Sequence, residues 1–127
     1  VLDRSVLVRP HVIEVSGVSD RGLLRLLANA RGLLMPSFAE GYGLPVVEAL
    51  SVGTPVVASD IPVFREISQG RAVFHHPLDG PGWRHAVVTL SDLDHPVTCE
   101  ARQMAQGFRA PSWEGYFDSI GAFLAGL

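Results

Sequence analysis

The 127-residue chain contains no lysine; all ten of its basic residues are arginine, set against thirteen acids for a formal charge of −3. That balance gives no general basic field, which removes bulk electrostatic capture of nucleic acid from the candidate functions, and any phosphate must be held locally. Cysteine is almost as scarce. Cys99 stands alone, so an internal disulfide and a cysteine-paired zinc site are both excluded, in keeping with a reducing compartment. No apolar run approaches the roughly 20 residues of a membrane helix, and the amino end lacks the basic start and small-residue cleavage site of a signal peptide. A soluble, unsecreted, cytoplasmic protein is therefore expected. There is no internal repeat and no low-complexity tract.

What is present is enough apolar residue, 47%, to bury one core. The segment "HVIEVS" (11–16) alternates branched and polar residues as a strand does, and Gly17 ends it. Ser19 and Asp20 then offer caps to a helix through "DRGLLRLLANA", where leucines recur at helical spacing. The short apolar runs "GLLM" (32–35), "PVVAS" (55–59) and "AVFH" (72–75) read as strands covered on both faces. Pro45 and Gly53 bracket a helix over about 44–52, and Pro62 and Gly70 bracket a shorter one. Residues 82–91, 96–107 and 112–125 read as helices, separated by "DLDHP" and "RAPS". Strand and helix in alternation imply an α/β, Rossmann-like, three-layer domain on a parallel sheet.

In such sheets ligands sit beyond the carboxyl ends of strands. The loop "SFAEGYG", 37–43, has that position. Gly41 and Gly43 leave bare backbone for a ligand, and the free amides opening the next helix favour an anion such as phosphate. Glu40 lies in the loop and Glu48 in the helix; carboxylates accept hydrogen bonds from vicinal hydroxyls. Two hydroxylated rings around a phosphate is the layout of a nucleotide sugar. Taken singly, the same residues serve a helix dipole, a solvated face and two turns. A dinucleotide fold competes, because "GYGLPV" supplies two glycines of Gly-x-Gly-x-x-Gly and Asp60 closes the next strand. The third position is Val46, however, whose side chain obstructs close helix–sheet packing, and the loop is too long for that motif's tight turn.

The stretch "PSFAEGYGLPVVEALSVGTPVVASDIPVFREI" resembles the signature of the retaining GT-B glycosyltransferases of the group 1 type, with weaker similarity in "SGVSDRGLLRLLANA" and "SWEGYF". The resemblance implies a carboxy-terminal, donor-binding lobe. In that reading residues 1–127 are a partial nucleotide-sugar-binding domain, without the amino-terminal acceptor domain and the first strand-helix-strand of its own lobe. It implies transfer of a hexose from a nucleoside diphosphate sugar to a saccharide or lipid-linked glycan acceptor, with retention and no metal or other cofactor. It makes Glu40 the candidate catalytic residue and a contact to the donor sugar. Gly41, Tyr42, Gly43 and Leu44 address sugar and diphosphate, Glu48 holds the ribose, and Val18 lies near the base. The family's basic clamp for the diphosphate matches no arginine here, so the isolated chain is expected to be inactive. A non-catalytic nucleotide-sugar-binding or assembly module is the alternative. The incomplete sheet is expected to leave an unsatisfied edge that favours self-association, and membrane contact, where any exists, falls to the absent domain. Of the remaining residues, Asp60 is expected to cap the turn before Pro62, the five histidines to be surface or packed residues without a metal, and Trp113 to anchor the last helix. Glu66 fits both a structural and a nucleotide contact.

Overall fold

The computed structural model describes residues 9–126, the side chains of Arg9 and Trp113 excepted. After a short 3-10 turn at Arg9–His11, the elements run α1 (Asp20–Asn29), β1 (Leu33–Met35), α2 (Leu44–Ser51), β2 (Val56–Ser59), α3 (Pro62–Ile67), β3 (Val73–His75), α4 (Gly80–Ser91), α5 (Pro96–Gln106) and α6 (Trp113–Ala125). The three strands form one parallel sheet in the order β1-β2-β3, with Leu33 opposite Val56 and Val57 opposite Val73. The α/β class and the parallel sheet expected above are thus present.

Local chemistry sets the ends of these elements. Ser19 caps α1, its hydroxyl accepting from the Gly22 amide at 3.2 Å. Pro45 and Pro62 lie in the first turns of α2 and α3, where their missing N–H groups cost nothing. Gly53, at φ +77°, follows α2 in the left-handed conformation that ends helices without strain. Ser112 caps α6 by accepting from the Gly115 amide at 3.1 Å.

The middle strand organises the packing. All four residues of β2 are buried, and successive side chains leave opposite faces of a strand. Val56 and Ala58 enter a core with Leu27 of α1, Val46, Ala49 and Leu50 of α2, and Phe64 and Ile67 of α3. Val57 enters a smaller core with Ala86 and Leu90 of α4. Helices therefore cover both faces of the sheet, giving three layers. Two buried hydroxyls pin the layers: Thr54 donates to the Leu27 carbonyl at 2.7 Å, and Thr98 donates to the Thr89 carbonyl at 2.8 Å.

One expected strand does not form. Residues 11–16 join no ladder, and Ile13 and Val15 are 87% and 61% exposed. A branched, alternating pattern describes a surface that fits a sheet rather than a backbone that makes one, and no described strand lies alongside this segment to bond it. Along the edge of β1 away from β2, no strand pairs among the described residues, and Leu34 on that strand is exposed. The expectation that Trp113 anchors the last helix lies outside the described residues.

The core contact at Phe64, which is fully buried, generates a test. Phe64→Ala should lower unfolding free energy by about 3–5 kcal/mol, the usual cost of emptying a buried aromatic site. Chemical denaturation followed by circular dichroism measures it; a loss under about 1 kcal/mol would mean that Phe64 is not the centre of this core.

Candidate functional site

Because the strands are parallel, their carboxyl ends share one edge of the sheet. The loop 36–43 leaves that edge after β1, Asp60 after β2 and His76 after β3.

The two glycines of the loop have different causes. Gly43 is the N-cap of α2 at φ +81°, a conformation that costs other residues roughly 1–2 kcal/mol. A Cβ there would stand 2.7 Å from Phe64 Cε1 and 3.0 Å from Ile67 Cδ1. The end of the loop is thus laid directly on α3, and only a bare backbone fits. Gly41 is under neither constraint: its φ is not positive and a Cβ would meet no atom of the chain within 4 Å. Nothing inside the described structure requires glycine at 41.

Four consecutive amides, from Gly41 to Leu44, donate to no acceptor of the chain among the described residues; the first bonded amide is that of Val46, to the Gly43 carbonyl at 3.0 Å. They open a helix whose dipole places about half a positive charge at this end. The arrangement is suited to an anion. Glu40 is exposed, and its carboxylate accepts from the Ser37 hydroxyl at 2.7 Å. Glu48 is half-buried on α2. Bonds from Cα to Cβ tilt toward a helix's amino end, so Glu48 leans back over Leu44 toward the open amides. No hydrogen bond or ion pair occupies it among the described residues. Glu40 thus precedes the amide run in the loop, and Glu48 follows it one turn into α2. Tyr42 and Leu44 are exposed beside it. Val18, by contrast, is committed locally: its Cγ1 lies over the first turn of α1, where a Cβ on Gly22 would come within 2.8 Å of it.

Beside the loop, Asp60 does not cap the turn before Pro62. Its carboxylate receives Arg65 Nε at 2.5 Å and a second guanidinium nitrogen at 2.8 Å, while α3 starts from Ile61 with no side-chain cap. Proline has no N–H to be capped, and two charge-assisted bonds outweigh one amide. Arg65 also lies over the Phe74 ring, 4.8 Å from its centroid. The hydrogen bond from Arg65 holds the Asp60 carboxyl below its ordinary 3.8. On β3, His75 Nδ1 sits 3.6 Å from Asp79 Oδ2, and Asp79 meanwhile caps α4 by accepting from Gly82 at 3.0 Å. Among the described residues no three of His, Cys, Asp and Glu gather to hold a metal ion.

With this geometry in place, comparison with known proteins is decisive for the family. The model of the family described as Glycosyl transferases group 1 matches residues 2–71, a span that contains both glutamates, the amide run and α3. The chain belongs to this family. Among relatives of this group 1 chain, O-antigen chain mannosyltransferase RfbU of Salmonella typhimurium is 37% identical over 81 residues, covering 64% of this chain and 23% of the relative. O-antigen chain mannosyltransferase B of Escherichia coli is 37% identical over 98 residues, covering 76% and 26%. D-inositol 3-phosphate glycosyltransferase of Paenarthrobacter aurescens is 36% identical over 97 residues, covering 65% and 23%. The chain thus spans about a quarter of the length of these relatives. No solved structure matches it.

Two features of the site escaped the sequence: the bidentate Asp60–Arg65 pair, and the approach of Tyr116, on α6, to the groove beside Tyr42. The first had a signal, an acid and an arginine five residues apart across a helix start. The second had none, because the partners lie far apart in the chain.

The ion pair has a testable sign. A carboxyl whose folded pKa is depressed contributes stability above its unfolded pKa and loses it as pH falls through the folded one. Carboxyl NMR titration should place the Asp60 midpoint below 3.8, and Arg65→Gln should return it to the ordinary aspartate value. An unchanged midpoint in the variant would show that Arg65 is not the cause.

Proposed function

We propose that this chain is the donor-binding part of a glycosyltransferase that moves a hexose from a nucleoside diphosphate sugar to a hydroxyl acceptor, a saccharide or a lipid-linked glycan. The observation that carries the proposal is the run of four amides at Gly41–Leu44 without an acceptor among the described residues, with Glu40 just before it and Glu48 one helical turn after it. The amides suit the diphosphate, Glu48 the vicinal hydroxyls of the ribose, and Glu40 the hydroxyls of the sugar being moved. Val18 is assigned to the neighbourhood of the base. Retention of configuration and independence from a metal or other cofactor follow from the family reading. Two of the relatives above are named mannosyltransferases, which makes mannose the first donor sugar to test.

The chemistry divides between holding the donor and letting its diphosphate leave. Hydrogen-bond donors aimed at the phosphate oxygens do both in part. Arg65, on the helix against which Gly43 packs, is already bonded to Asp60 and offers the leaving group little. We infer that the chain binds donor but does not turn it over by itself. Residues 1–127 are accordingly assigned as part of a donor-binding lobe. No described helix is long and apolar enough to cross a membrane, and a cytoplasmic position is proposed from the nucleotide-sugar substrate.

Isothermal titration with GDP and UDP tests the assignment and identifies the base. Glu48→Ala should weaken nucleoside diphosphate binding about tenfold, the loss of one charged hydrogen-bonding contact. Glu40→Ala, in any longer polypeptide that carries this chain, should chiefly lower turnover. Unchanged affinity in Glu48→Ala, or binding of NAD in place of GDP and UDP, would defeat the assignment.

A further inference from the structure

A second concave surface adjoins the amide run. The side chains of Tyr42 on the loop and of Leu44 and Val47 on α2 face Pro111, Ser112 and Tyr116 at the start of α6, enclosing a groove of about 580 Å3. That volume lies within the range of small-molecule sites, which are mostly apolar with a few placed polar groups. Its composition narrows the ligand. Among the described residues no charged side chain lines the groove, so the described walls complement neither a phosphate nor an ammonium group. Its walls carry two phenol rings, each with an apolar face and a hydroxyl at the tip, exposed to 48% at Tyr42 and 55% at Tyr116. A pyranose ring presents the matching surface, C–H groups on its faces and hydroxyls around its rim, and aromatic side chains pair with such amphipathic partners through face and tip together.

We propose that this groove is a subsite for a neutral sugar ring on the acceptor side of the reaction. The proposal rests on the glycosyl-transfer reading above and extends it: Tyr42 stands two residues from Glu40, so a sugar seated here adjoins the sugar of a donor held by the loop. Tyr42 is then shared, and Tyr116 is the residue that distinguishes the acceptor subsite from the donor site. Ser112 fixes the first turn of α6 through the Gly115 amide, which holds Pro111 and Tyr116 on one side.

NMR titration of the 127-residue chain, labelled at its tyrosines, with methyl α-D-mannopyranoside and methyl α-D-glucopyranoside tests the subsite. Saturable shifts are expected at Tyr42 and Tyr116 with at least one of the two sugars. Tyr116→Ala should weaken that binding about fivefold, the scale of one lost aromatic contact, whereas Tyr116→Phe, which keeps the ring, should retain most of it. Binding of GDP or UDP should be unchanged in both variants. Absence of a saturable shift with both sugars overturns the subsite. So does stronger binding of n-decanol than of either sugar, which would mark an alkyl groove, or a shift produced by raising protein concentration alone and lost in Tyr116→Ala, which would mark a contact between copies. Failure of GDP and UDP to bind the unsubstituted chain would instead overturn the donor reading, and is read in a separate titration.

Discussion

The contact between the Gly43 backbone and the ring of Phe64 is the constraint on which the rest of the site depends. Phe64 has no freedom of its own: it is fully buried beneath α2 and beside the central strand. A backbone carrying no side chain can rest on that ring, and in doing so it takes the left-handed turn that starts α2. The direction of the helix axis, and with it the aim of the helix dipole, is thereby set by core packing and not by the loop. The loop is stiff at its rear and open at its front.

That division explains how a short loop can present a run of amides without collapsing onto them. Unbonded amides are ordinarily claimed by the nearest carbonyl or side chain. Here Pro45 removes one donor from the first turn, Gly43 takes the left-handed conformation at the start of α2, and the Ser37 hydroxyl holds one oxygen of Glu40. What is left is a run of amides without an acceptor among the described residues. The glutamates differ in the same sense, since Glu40 is positioned by a neighbour within the loop, and Glu48 by the register of a helix whose other face, Val46, Ala49 and Leu50, is locked in the core.

Much of this order was legible in the residues, for physical reasons that also mark where legibility ended. Proline and glycine punctuate this chain densely, and each acts on its own backbone, so the ends of α2 and α3 and the runs of β1, β2 and β3 could be read locally. Residues 11–16 could not, because branched alternation needs a neighbouring strand to become one. Gly41 and Gly43 look alike as letters. They separate once Phe64 is in place, because only Gly43 rests against it. Asp60 was read as a cap because its competitor, Arg65, reaches it through the geometry of a helix start that spacing alone does not reveal. Tyr116 became visible as a wall of the groove when the fold brought α6 to the loop.

The electrostatics of the edge also bear on how the proposed reaction is divided. An amide run and a helix end together offer roughly half an elementary charge, enough to orient a diphosphate but well short of balancing one. As the sugar departs, negative charge on the diphosphate grows, and groups that stabilise the departing anion must act more strongly then than in the bound donor. Arg65 is drawn to Asp60 and Phe74, and the chain as a whole is acidic. On the reading proposed above, the site aligns a nucleotide sugar, and stabilising the leaving group falls to positive charge beyond the Asp60–Arg65 pair. Keeping that charge apart from the amide run has a physical advantage in that reading. Binding then does not neutralise the donor in advance, and the strongest attraction can be reserved for the moment when acceptor, donor and cation are assembled together.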